Sequence, residues 1–158
     1  MAFPLPDPMR IALDEARGAA RLDEVPVGAV VTRRGEVIAT SGNAMRSAFD
    51  PTAHAEIVVL REAGRLLRSA RLDECDLWVT LEPCAMCAGA IALARIARLY
   101  FAAPDPKGGA VLHGPRLFGQ PSCHHAPEVY AGIGEEQAAA LLREFFRERR
   151  SRPLNGGE

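Results

Sequence analysis

Apolar residues change their spacing several times along the chain, and each change marks an element. Met9, Ala12, Leu13, Ala16 and Ala20 recur on one face, which predicts a helix over Met9–Arg21 started by Asp7 or Pro8. The continuous apolar stretch Val25–Val31 predicts a strand, Arg33-Arg34-Gly35-Glu36 is turn chemistry, and Val37–Thr40 returns as a second strand of a hairpin. Asp50-Pro51-Thr52 carries a cap residue and a proline suited to a first helical turn, and His54–Leu67 then places Ile57, Leu60 and Leu67 on an inward face. Leu77–Leu81 is short, apolar and rich in β-branched and aromatic residues, the signature of a buried strand. Pro83 ends it and suits the start of an alanine-rich helix over Cys84–Arg95.

Leu99–Ala102 is a further strand, and Ala103 to Pro127 is a Gly/Pro/His-rich loop too long for a bland connector. Glu128–Ile133 is expected at a sheet edge. A closing helix over Glu135–Arg150 has glutamates at its start and arginines at its end, matching the helix dipole. Alternating strands and helices predict an α/β sheet with parallel neighbours. The expected organisation is a flexible lead-in over residues 1–8, one domain over 9–151 and a flexible tail over 152–158.

Composition narrows the picture. At 158 residues, with 48% apolar and 25% charged residues, the chain suits one globular domain with a real core. A net charge of −1 gives no global basic field to recruit nucleic acid. No basic-then-apolar leader is evident, and no apolar run approaches the roughly 18 residues of a membrane span, so a cytoplasmic protein without membrane contact is expected. Four cysteines in a chain of this size suit metal or redox chemistry better than a disulfide framework.

The chemistry gathers at two predicted helix starts, His54-Ala55-Glu56 and Pro83-Cys84-Ala85-Met86-Cys87. Cys84 and Cys87 lie one turn apart at a helix N-terminus, where the partial positive charge favours thiolates. Taken alone, Cys-x-x-Cys equally describes a redox pair, a structural zinc site or packing. Together, one imidazole and two thiolates would hold Zn²⁺, one per subunit, and leave a fourth position for water. Glu56, two residues past the histidine, would take the water's proton and return protons to a ring nitrogen and a leaving amine. The pairing is the established signature of zinc base deaminases.

On these residues the sequence resembles the cytidine deaminase-like superfamily, and within it the bacterial tRNA adenosine deaminases. The zinc motif carries the superfamily. Glu24-Val-Pro-Val-Gly-Ala-Val30, Gly42-Asn43, Asp50-Pro-Thr-Ala-His-Ala-Glu56, Asp105-Pro-Lys-Gly-Gly-Ala110 and Leu141-Leu-Arg-Glu-Phe-Phe-Arg147 carry the tRNA branch. The resemblance implies conversion of a wobble adenosine to inosine in a tRNA anticodon stem-loop. It also implies a three-layer α/β/α cytidine deaminase-like fold with a five-stranded mixed sheet, and a homodimer. By the same matching, Asn43 and the backbone of Ala55 would meet the flipped base, the backbone near Glu82 and Pro83 would face the water, and Asp105 and Lys107 would touch the anticodon backbone. Phe145 is expected in the core and Phe146 near RNA. Cys123-His124-His125 departs from the family pattern; a packed or RNA-facing loop there is favoured over a second metal site. The rival readings are a zinc deaminase of free guanine or cytosine, an RNA-binding module that keeps zinc for stability, and a thiol redox protein.

Overall fold

The computed structural model describes residues 4–152. The chain runs α1 (Asp7–Arg21), β1 (Gly28–Arg33), β2 (Glu36–Gly42), α2 (Ala55–Leu67), β3 (Cys75–Leu81), α3 (Ala85–Ala94), β4 (Arg98–Ala103), a short 3₁₀ turn at Leu117–Gly119, β5 (Glu128–Ala131) and α4 (Glu135–Ser151). The five strands form one sheet in the order β2-β1-β3-β4-β5. β3, β4 and β5 are parallel neighbours, whereas β1 is antiparallel to both β2 and β3. The sheet is therefore mixed: a tight turn reverses the chain from β1 to β2, so β1 lies between two strands that run against it. That turn is made by Arg34 and Gly35 at φ 51 and 80°, the left-handed pair that matches hairpin twist.

Alternation along the strands separates two cores. Ala29, Val31, Leu77, Val79, Leu99 and Phe101 point to the face covered by α2 and α3, where they meet Val59, Leu60, Ala88 and Ile91. Val30, Trp78 and Ala102 point the other way, towards Met9, Ala12 and Leu13 of α1 and Ala138 of α4. Two helical layers thus sandwich one sheet, as a period of two demands when both faces are buried. Trp78 stacks on Tyr100 and Tyr100 on Tyr130, with centroids 3.8 and 5.0 Å apart, so an aromatic ladder crosses three strands.

Gly28 lets α1 lie directly on β1. A Cβ at this position would overlap the Ala12 carbonyl oxygen and stand 2.7 Å from the Ala16 nitrogen, and both are backbone atoms that cannot turn aside. Gly28→Ala is therefore expected to destabilise the fold by about 3 kcal/mol, read as a lowered urea midpoint at unchanged m-value.

Several sequence expectations shift. The first helix takes in Asp7 and Pro8, placed in the lead-in by sequence: the missing proline N–H costs nothing in a first turn, where no intrahelical acceptor exists. Asp50 caps no helix. Its Oδ1 accepts the Thr52 N–H and hydroxyl in a local turn, and the second helix begins five residues later at Ala55, with His54 at its N-cap. The third helix likewise starts after Cys84, which is its N-cap. β5 ends at Ala131, short of the expected Ile133. Of the expected tail, residues 153–158 lie outside the described residues, and Arg152 pairs with Asp23.

Candidate active site

β2 and β3 run in the same direction and end side by side around β1, so the segments that follow them meet at one edge of the sheet. The segment after β2 leads to His54 and α2; the one after β3 leads to Cys84 and α3. Each of these two residues is an N-cap in extended conformation, which turns its side chain across its helix end. His54 Nδ1 stands 3.6 Å from Cys84 Sγ and 3.5 Å from Cys87 Sγ. His54, Cys84 and Cys87 form a group able to hold a metal ion, the one such group among the described residues. An ion about 2.3 Å from sulfur and about 2.0 Å from nitrogen, with tetrahedral angles, holds those atoms roughly 3.5 Å apart. The donor spacing therefore fits a tetrahedral N/S site with one position left over.

The thiols are already polarised. Cys84 is lowered to about 5, first because the Cys87 thiol hydrogen-bonds to it, against the opposing effect of burial, and further by the N–H groups of Cys87 and Met86 and by His54. Cys87 moves the opposite way, because it donates to Cys84 and is buried. Glu56 sits in the first turn of α2, 4% exposed. Burial pushes its carboxyl up, with its own backbone N–H and His54 partly opposing. A carboxylate raised in this way is a better base near neutrality.

The remaining expected residues fall into place unevenly. Asn43 follows β2, and its Oδ1 accepts the Ala55 N–H at 2.8 Å. The Ala55 amide, expected at the base, is thus engaged by Asn43, while the Asn43 Nδ2 has no hydrogen-bond partner among the described residues. Asp105 Oδ1 accepts the N–H groups of Lys107 and Gly108, so its carboxylate holds its own loop, and Lys107 is exposed. Phe145 is buried and Phe146 half-exposed beside it. Cys123 and His125 bond to backbone carbonyls, of His125 and Ile96 respectively, and so pack the loop.

Two buried carboxylates escaped the sequence reading. Glu82 accepts the N–H groups of Asp105, Val111, Leu112 and His113 at 3.0–3.2 Å, and His113 Nδ1 at 2.8 Å. Burial alone would push it up, but these donors outweigh it and hold the carboxyl below the usual glutamate range. Gly109 is required beneath it: a Cβ there would overlap Glu82 and lie 2.5 Å from the Asp105 carbonyl oxygen. Glu24 does the same for the segment after β2, accepting Arg46 N–H at 2.8 Å and Ser47 N–H at 2.9 Å. The available signal was an acidic residue abutting apolar ones, between Leu81 and Pro83 for Glu82 and directly before Val25-Pro26-Val27 for Glu24. Glu82→Ala would strand five donors; hydrogen exchange at Val111, Leu112 and His113 is expected to accelerate strongly, with a global loss of about 3 kcal/mol.

A mixed five-stranded sheet between helical layers, with histidine, paired cysteines and a buried glutamate at one edge, defines the deaminases of the cytidine deaminase-like fold. The chain belongs to the MafB19-like deaminase family, whose model matches residues 6–150. It is 59% identical over 142 residues to a tRNA-specific adenosine deaminase of Agrobacterium fabrum, covering 90% of this chain and 93% of that one. A tRNA-specific adenosine deaminase of Aquifex aeolicus is 40% identical over 143 residues, 90% of this chain and 94% of that one. A solved structure from work on A-to-I editing by tRNA deaminases at the wobble position superposes with a TM-score of 0.85 at 58% identity, over 85% of this chain and 98% of that one. The guanine deaminase of Nitrosomonas europaea superposes with a TM-score of 0.73 at 27% identity, over 92% of this chain and 85% of that one.

Proposed function

We propose that this chain hydrolytically deaminates the wobble adenosine of a tRNA anticodon stem-loop to inosine. The observation that carries the reading is the convergence of His54, Cys84 and Cys87 beside buried Glu56, in a chain so similar to tRNA-specific adenosine deaminases. His54 Nδ1, Cys84 Sγ and Cys87 Sγ would hold one Zn²⁺ per subunit. The ion, when bound, supplies the Lewis acidity that makes water a nucleophile at neutral pH. Glu56 accepts the proton of the attacking water and delivers it to adenine N1; it then takes the proton of the new C6 hydroxyl and passes it to the C6 amino group, so that the C6–N6 bond breaks, ammonia leaves and the 6-oxo base remains. Asn43 offers Nδ2 to the extruded base because Ala55 fixes its Oδ1. Lys107, on the loop held by Asp105, meets the anticodon phosphates, and Phe146 lies towards the RNA from α4.

Residues 9–151 are the proposed deaminase unit, and a second copy of it the proposed partner. The groove between α2 and α3, about 370 Å³ and lined by Ile57, Leu60 and Leu93, supports a homodimer: Leu93 is 79% exposed. Sedimentation equilibrium giving a monomer at all concentrations would remove it. No helix of the described residues is long and apolar enough to cross a membrane, and a tRNA substrate together with thiol ligands that must stay reduced fits the cytoplasm.

The likeness to a guanine deaminase favours a second reading, a deaminase of free bases. The deciding experiment compares an anticodon stem-loop bearing adenosine at the wobble position with free guanine and cytosine. Inosine in the RNA is expected; consumption of a free base with none in the RNA would overturn the tRNA reading.

A further inference from the structure

The segment between β2 and α2 is a closed loop. Ala44 N–H bonds to the Ala53 carbonyl, so the loop is pinched at its base one residue inside Asn43 and His54. Its course is fixed throughout. Ala48 bonds back to Ala44, Phe49 to Arg46 and Asp50 to Met45, Ala53 bonds to Asp50, and buried Glu24 holds the N–H groups of Arg46 and Ser47. At the tip stands Phe49, 95% exposed, with φ 51°. Among the described non-glycine residues at positive φ it is the one aromatic. That conformation is uncommon for a bulky side chain, and the ring gains no burial in return.

The other exposed residues of the loop are Arg46, Ser47, Ala48, Pro51 and Thr52, so the ring is the one large apolar side chain the loop itself offers. The arginines nearest in the chain are engaged elsewhere: Arg46 pairs with Asp23 at 2.8 Å, and Arg61 lies 3.9 Å from the carboxylate of adjacent Asp50. A flat apolar face, on an ordered loop whose base carries Asn43 and His54, suits the base of one nucleotide of a single strand whose neighbour enters the site.

We propose that Phe49 is a stacking platform for a nucleobase flanking the target nucleotide, and so a determinant of substrate positioning. The inference rests on the RNA reading above and deepens it. The ring touches no reacting atom. It lowers the cost of splaying the single strand so that its neighbour enters the site.

The test uses the full-length holoenzyme and an anticodon stem-loop with 2-aminopurine beside the wobble adenosine, comparing Phe49→Ala, Phe49→Leu, Phe49→Tyr and Phe49→Trp. Ala and Leu are expected to raise KM about 5- to 100-fold with kcat within about twofold, while Tyr and Trp retain the parent KM. The 2-aminopurine fluorescence should be quenched on binding the parent and stay bright with Ala. An unchanged KM for Phe49→Ala, or Leu performing as well as Phe, overturns the stacking role. A change of mass with Phe49→Ala in sedimentation also overturns it, by making the ring a protein contact. Turnover on the stem-loop that is indifferent to Phe49 leaves the tRNA reading standing and removes this one. Phe49-dependent quenching without any inosine formed does the reverse. A parent that neither binds nor deaminates the stem-loop removes both.

Discussion

Glu56→Gln is expected to lower kcat on the stem-loop by on the order of 10³-fold while leaving metal content and folding intact. Glutamine matches the volume of the carboxylate and fits the same buried position in the first turn of α2. What it lacks is a site that can accept a proton from water and release it to the ring. No neighbour can substitute. Among the described residues, the closest titratable groups are His54, Cys84 and Cys87, which the metal would occupy. Because burial already pushes Glu56 up, removing its charge relieves a desolvation cost, and the variant is expected to be at least as stable as the parent. Single-turnover kinetics with zinc quantified in the same preparation checks both halves. Turnover within about tenfold of the parent would remove Glu56 from the proton path.

Cys87→Ala should be the more drastic change. Cys87 is fully buried and would supply one of the three donors proposed for the metal, so its loss is expected to weaken metal binding by on the order of 10³-fold and to leave the purified protein without zinc or activity. In the parent, the Cys87 thiol keeps its proton because Cys84 accepts the hydrogen bond and burial disfavours a second thiolate. Metal uptake must expel that proton, so affinity is expected to fall as the pH drops and to rise as it climbs. Titration of chelator-stripped protein in two buffers of different ionisation enthalpy reads the proton release directly. A Cys87→Ala protein that still holds one zinc per chain with parental turnover would rule out the three-donor site.

The meeting of His54, Cys84 and Cys87 was legible in the sequence because the two motifs stand at successive helix starts, with Glu56 two residues past the histidine in the same first turn. The helices and strands followed from apolar periodicity, which burial on two faces enforces. Boundaries were less legible. Asp50 and Pro51 have the chemistry of a helix start, yet the Asp50 side chain closes a local turn, and the helix waits for His54. Sequence cannot separate these outcomes, since aspartate accepts N–H groups equally well in both. The β1–β2 hairpin and a mixed sheet were expected, but the seating of β1 between β2 and β3 was hidden, because strand order depends on contacts between distant segments. Glu24 and Glu82 were passed over for a third reason: an acidic residue is ordinarily solvated, and only the fold reveals that backbone amides converge on each, two on Glu24 and four on Glu82.

The way Glu24 and Glu82 grip their loops has a consequence for how such a protein can diversify. Both carboxylates hold main-chain amides: Arg46 and Ser47 for one, Asp105, Val111, Leu112 and His113 for the other. Arg46, Ser47 and Leu112, whose side chains are exposed and take no part in the grip, can change without slackening it, whereas His113 also bonds Glu82 through its ring and Val111 is buried. The exception is proline, which has no amide hydrogen to offer. A library randomised at Ser47 and Leu112 should tolerate nearly every residue but that one.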